Sequence, residues 1–133
     1  MALPARHKDA HSFAFGDSPE LADRLLALVL SGEKTATCGA LRDYEPPDPE
    51  LMPEVGRTDV VLDGSGQPAC VIETTSVVLH RFAEVPESFA LAEGEGTFED
   101  WRRGHKAFFE RNGGWSADMM LVCERFRLVE VLK

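Results

Sequence analysis

The chain has 133 residues, 44% of them hydrophobic and 28% charged, with 23 acidic against 14 basic side chains and a net charge of −9. That is enough chain for one domain with its own core, in the balance of a soluble globular protein. The charge excludes sequence-indifferent binding to duplex DNA, which needs a basic surface, and no apolar run is long enough to span a membrane. The three cysteines, Cys38, Cys70 and Cys123, are scattered and form no CxxC pair. A disulfide framework and a zinc knuckle are therefore not expected, and a reducing, cytoplasmic setting is. No signal-peptide core follows Met1.

In chain order, residues 1–12 read as a flexible N-terminal arm and 13–133 as a single domain. His7 and His11 are four apart but have no third ligand, so neither metal nor cofactor is expected there. Ser18 and Pro19 then open a helix whose apolar face is Leu21, Leu25, Leu28 and Val29. Gly32 stops it. Thr35 to Leu41 reads as a short strand, and Asp43 to Val55, with Pro46, Pro47, Pro49 and Pro53, as a long extended loop of the kind that forms lids. Asp59 to Asp63 and a strand from Pro68 to about Val78 flank the turn Gly64-Ser65-Gly66-Gln67 as a hairpin. His80-Arg81-Phe82 either continues that strand or begins another.

Pro86 opens a short helix to Ala92, which Glu93-Gly94-Glu95-Gly96 breaks. Thr97 caps a second helix to Arg111, with Phe98, Trp101, His105, Phe108 and Phe109 on one side. Asn112-Gly113-Gly114 ends it, and Met119 to Leu132 reads as a long closing strand. Strands at both ends, a hairpin between them and helices at the crossovers make an α+β domain. Its sheet is mixed and strongly curved, open or closed into a small barrel.

A few residues stand out from this frame. Lys34 and Thr37 converge only if Lys34 belongs to the turn before the strand, because residues three apart in a strand face opposite ways. The alternative is a lysine on the last helix carbonyls and an ordinary strand threonine. Glu93 and Glu95 alternate with Gly94 and Gly96, glycines that permit an inward turn, or else belong to a solvated helix end. Glu73 and Glu124 fall on apolar strand faces, where a carboxylate must be paired. Each therefore either meets an arginine or joins a polar pocket beside Lys34. Trp115 either stacks a base or seals the core. Arg102, Arg103, Lys106 and Arg111 read as a solvated helix face, and His105 as a core histidine. No GxSxG, Walker loop, HExxH or Rossmann fingerprint is present.

Gly32-Glu33-Lys34-Thr35-Ala36-Thr37 after a capped helix resembles the signature of the ASCH domain, a PUA-like fold. The Pro-rich loop, Pro53-Glu54-Val55-Gly56, Cys70-Val71-Ile72-Glu73-Thr74-Thr75 and Ala92-Glu93-Gly94-Glu95-Gly96 resemble it further. So do Trp101-Arg102, His105, Phe108-Phe109 and Leu121-Val122-Cys123-Glu124-Arg125-Phe126. Together they cover about residues 13 to 132 and look most like the larger, predicted RNA-binding branch of that family.

The resemblance implies a PUA-like small mixed β-barrel flanked by helices, with RNA or a modified nucleoside or nucleotide as ligand in a cleft beside the GxKxxT segment. Smaller ASCH relatives are amidohydrolases that deacetylate N4-acetylcytidine with a lysine, a threonine and a glutamate. Carried over by position, these fall on Lys34, Thr37 and the Glu93 to Glu95 run, best at Glu95. Glu93, Glu73, Glu124 and Trp115 are then candidate substrate contacts. Many ASCH domains carry an arginine two residues after the threonine; here that position is Gly39, which leaves the contact to a residue such as Arg42. A non-catalytic RNA- or nucleotide-binding module and a metal-dependent ribonuclease are the alternatives the family offers.

The chemistry of the leading reading is coherent. A threonine hydroxyl needs a base to become a nucleophile, and a desolvated lysine can be that base. A glutamate set too close would keep the lysine charged.

Overall fold

The computed structural model describes Leu3 and residues 5–132. Met1, Ala2 and Pro4 of the expected arm, and Lys133, lie outside the described residues. Strands β1 (Ser12–Phe13), β2 (Ala36–Ala40), β3 (Thr58–Leu62), β4 (Pro68–Arg81) and β5 (Met120–Val131) form one sheet in the order β1-β3-β4-β5-β2. The helices are α1 (Pro19–Ser31), α2 (Glu87–Ala92) and α3 (Phe98–Arg111). The sheet is mixed, since β1 runs parallel to β3 while the other pairs are antiparallel.

Local chemistry sets the helix ends. The Ser18 hydroxyl accepts from Leu21 N at 3.1 Å, and Pro19 occupies the first turn. Gly32 takes φ 86° and returns its N–H to Val29 O, a conformation that costs glycine little. Thr97 and Asp100 close a reciprocal capping box at the start of α3. β4 continues through His80 to Arg81, the first of the two alternatives, because β5 pairs with it to that end, and a 3-10 turn begins at Phe82. Register shifts between Val71 and Ile72 and between Thr74 and Ser76 interrupt that long ladder, and such bulges bend a strand and increase its twist.

Each face of the sheet is covered. On one side Phe15 and, from α1, Leu25, Leu26 and Val29 pack on Cys70, Ile72 and Phe126. On the other, Phe89 of α2 and Trp101 and Phe109 of α3 cover Ala36, Ala40, Leu121 and Cys123, with Phe82 stacked on Trp101. Alternation along β2 sends Thr37 and Gly39 to the face opposite Ala36 and Ala40. The two edge strands, β1 and β2, both line one cleft, which lies at the seam of the curved sheet.

The segment expected as a flexible arm holds a 3-10 turn at Ala5–His7. There Arg6 pairs with Glu130, and His7 Nε2 lies 3.0 Å from the same carboxylate. The His11 carbonyl accepts from Val60 N at 2.9 Å. Among the described residues no helix is long and apolar enough to cross a membrane.

Candidate active site

Lys34 is placed by the turn that ends α1. Its own N–H reaches back to Leu28 O at 3.0 Å, and Thr35 N–H crosses to Ala92 O at 2.8 Å, tying the start of β2 to the end of α2. The side chain turns inward and is only 2% exposed. Its ammonium donates to Ala36 O at 2.8 Å and to Glu93 Oε1 at 3.0 Å, with the Phe15 ring centroid 5.3 Å away. Glu93 is 1% exposed. Its Oε2 accepts from Trp101 Nε1 at 2.9 Å and lies 3.4 Å from His105 Nε2. His105 Nδ1 is 2.9 Å from Trp101 O, and since a carbonyl only accepts, that nitrogen carries a hydrogen.

Gly94 makes the closure of this cluster possible. It sits at φ 77°, and a Cβ there would come 2.6 Å from Glu33 O. Gly94→Ala is therefore expected to destabilise the fold by more than about 1 kcal/mol and to loosen the seat of Glu93. Urea unfolding checks the stability, and the His105 ring resonances check the seat.

Burial pushes the Glu93 carboxyl up, but the charges of Lys34 and His105 and the hydrogen bonds from His105 and Trp101 outweigh it, bringing it from 4.5 to about 2. Burial pushes His105 down, and the Glu93 carboxylate beside it overcomes that to hold the imidazole above its usual value. Linkage gives the signs. The depressed Glu93 contributes stability that is complete above 4.5 and fades as pH falls towards about 2. The raised His105 contributes stability that is complete below 6.5 and is lost as pH rises through its folded value. In urea midpoints measured against pH, Glu93→Gln should flatten the acid limb.

Thr37 stands directly opposite Glu124 in the β2–β5 ladder, so their side chains are neighbours on one face. Glu124 is 9% exposed, and its Oε2 accepts from the Thr74 hydroxyl at 2.5 Å. Burial raises its carboxyl above the usual range, with Asp59 adding to the rise and the Thr74 hydrogen bond opposing it. Thr37 and Glu124 both line the cleft at the seam, a cavity of about 520 Å³ walled by Phe13, Tyr44, Phe108 and the Pro-rich loop. A smaller cavity of about 90 Å³ brings Thr37 together with Lys34, Glu93, Glu95 and His105. Thr37 thus belongs to both spaces.

The other expected residues are distributed as follows. Glu95 reaches the small cavity but lies 3.7 Å from Arg24 and 4.0 Å from His105; the carboxylate on Lys34 is Glu93. Glu73 is held across strands by Arg127 Nε at 2.7 Å and lines neither cavity. Arg42 donates to the carbonyls of Asn112 and Gly114 at 3.3 and 2.7 Å, also outside both. Trp115 meets the Phe82 ring edge-on at 5.4 Å with the Lys106 ammonium over it at 4.6 Å, at the margin of the core.

The sequence reading missed Tyr44, Asp59 and Arg57 as cleft residues. A signal for Tyr44 was present in Gly39, where a Cβ would come 3.0 Å from the Tyr44 hydroxyl. With no side chain, Gly39 makes room for that phenol.

Cys38, Glu93 and His105 hold a thiol, a carboxylate and an imidazole within 4.8 Å of one another, donors of the kind zinc takes. The carboxylate is already neutralised by Lys34 and satisfied by Trp101. Burial first, then the Glu93 charge, raises the Cys38 thiol well above its ordinary value. A cation entering here would compete with the lysine for the same carboxylate, and the thiol lacks the lowered pKa of a reactive cysteine.

A curved mixed sheet with helices on both faces and a cleft at its seam defines a PUA-like α+β domain, here with the buried Lys34–Glu93–His105 cluster beside the cleft. The ASCH domain family model matches residues 11–130, and the chain belongs to the ASCH domain family. It is similar to protein EF3133 of Enterococcus faecalis V583, with 39% identity over 91% of this chain and 77% of that one, at a TM-score of 0.83. It is likewise similar to the ASCH domain from Lactobacillus crispatus JV V101, with 35% identity over 94% of this chain and 82% of that one, at a TM-score of 0.84. A tyrosine-to-phenylalanine mutant of ZmASCH from Zymomonas mobilis shares the fold alone, with 12% identity over 93% of this chain and 73% of that one, at a TM-score of 0.53. No curated protein matches the chain.

Proposed function

We propose that the protein is an amidohydrolase that removes an acyl group from the exocyclic nitrogen of a nucleoside, N4-acetylcytidine being the model substrate. The observation that carries this reading is the register that sets Thr37 opposite Glu124 on the cleft wall, with the buried Lys34–Glu93 pair behind it.

In this reading the nucleophile is Thr37 and the base is Glu124, not Lys34. The Lys34 amine is spent on Glu93 and on the Ala36 carbonyl, whereas a carboxyl raised by burial moves towards the range in which it can both take and return a proton. Thr37 Oγ1 adds to the acyl carbon as its proton passes to Glu124. The C–N bond then breaks, and the same proton goes to the departing nitrogen. Water attacks the threonine ester, giving its hydroxyl to the acyl group and, through Glu124, a proton back to Oγ1. Lys34 is a positioning residue: it grips the carbonyl of Ala36, immediately before Thr37, and so fixes the start of the strand that carries the nucleophile.

Incubation with N4-acetylcytidine tests the proposal. Release of acetate and cytidine in equal amounts is the expected result. A protein that binds the nucleoside and never converts it is a binding module instead.

A further inference from the structure

The proposed cleft is unusual in its charge. Four carboxylates line it, Asp59 and Glu124 buried, and Asp43 on an exposed 3-10 turn and Glu50 on the exposed loop after it at the rim. The arginine among its lining residues is committed. Arg57 gives Nε and one terminal nitrogen to Asp59 at 2.8 and 3.0 Å, and its other terminal nitrogen to Met52 O at 2.9 Å. His11 faces the same carboxylate, its buried Nδ1 3.9 Å from Asp59 Oδ1 and without a hydrogen-bond partner among the described residues. Lys34 is sealed behind the wall on Glu93, and Arg42 holds loop carbonyls on another side.

The walls themselves suit a flat heterocycle, with the rings of Phe13, Tyr44 and Phe108 around about 520 Å³. The accumulated charge is visible on neighbouring groups. Tyr44 is pushed up by burial and then by Glu50, Glu124 and Asp43 together, and Glu50 by burial and then by Asp43, with His11 opposing. Glu50 is also fixed in place, because its N–H donates to Asp43 O at 2.9 Å and brings the two rim acids together.

We infer that the cleft admits the free nucleoside and turns away nucleotides and RNA, with Asp43 and Glu50 as the residues that set this specificity. The inference rests on the cleft being the ligand site proposed above. A phosphate ester brings one to two negative charges to an opening that offers carboxylates and no uncommitted guanidinium, so it loses the partners that phosphate sites provide and meets repulsion instead. The base and ribose carry no charge and are unaffected. The rejection is electrostatic, and salt must weaken it.

The test is calorimetry on the Thr37→Ala protein, with hydrolysis stopped, using N4-acetylcytidine and its 5′-monophosphate as ligands. The nucleoside is expected to bind at least about tenfold more tightly than the monophosphate in low salt, with the gap narrowing as salt rises. The same comparison with Asp43→Asn and Glu50→Gln added should bring the two ligands to within about threefold. A monophosphate that binds as well as the nucleoside overturns the inference and leaves the cleft reading standing. A gap that neither salt nor the added substitutions change is steric and removes Asp43 and Glu50 as its cause. Binding of neither ligand overturns the cleft reading and the inference together.

Discussion

Lys34→Met is expected to destabilise the protein by about 3–5 kcal/mol, the range for removing one partner of a buried ion pair. The methionine keeps the length and apolar bulk of the side chain, so the loss is mainly charge. What remains is a Glu93 carboxylate that is 1% exposed, with Trp101 and His105 as its other partners. A domain of ordinary stability has roughly 5–15 kcal/mol in all, so the variant should lie near its unfolding limit. The double variant Lys34→Met with Glu93→Gln should recover a good part of the loss. The amide is neutral, and its oxygen still accepts from Trp101. Urea unfolding of the wild type, both single variants and the double variant gives the interaction energy directly. A Lys34→Met cost below about 1 kcal/mol would show that the pair is hydrated and carries little of the local structure.

Thr37→Ala is expected to lower kcat roughly a thousandfold or more while leaving the affinity for N4-acetylcytidine nearly unchanged, because a nucleophile acts in the transition state and adds little to ground-state binding. Thr37 is a partly buried residue on a short strand, and its replacement removes one methyl and one hydroxyl, so the fold should survive. Glu124→Gln should reduce kcat as well, and it should also remove the ionisation of Glu124 from the pH–rate profile. Turnover that persists in Thr37→Ala would assign the attack to water, activated by Glu124. These kinetic signatures separate a catalytic cleft from one that only binds. In a binding module Thr37→Ala costs about one hydrogen bond, ~0.5–1.5 kcal/mol, and no turnover exists to be lost.

Much of the frame is legible in the chain because its causes are local. Ser18, Pro19 and Gly32 bound α1 as their side chains dictate, and Thr97 with Asp100 does the same for α3. The place of Lys34 in a turn follows from Gly32 two residues earlier, and the glycines of the Glu93-Gly94-Glu95-Gly96 run permit the close backbone approach that Gly94 makes. The long loop between Asp43 and Val55 is marked by its prolines, and it lines the cleft.

What the sequence could not separate were residues of equal local promise whose partners lie far along the chain. Glu93 and Glu95 share one glycine-rich run, yet only Glu93 reaches Lys34, because the Thr35–Ala92 hydrogen bond sets the depth at which α2 meets β2. Glu73 and Glu124 both alternate with apolar neighbours. One meets Arg127 across the ladder and the other faces Thr37 in the cleft. Arg42 and Trp115 looked available for a ligand, but the loop after α3 and the core margin engage them. Short-range signals of capping, turn and periodicity therefore determined which elements form, since each depends on a few adjacent residues. Which carboxylate became part of the site was decided by strand register and helix docking, because pairing between residues far apart in the chain selects the partner only once the sheet has formed.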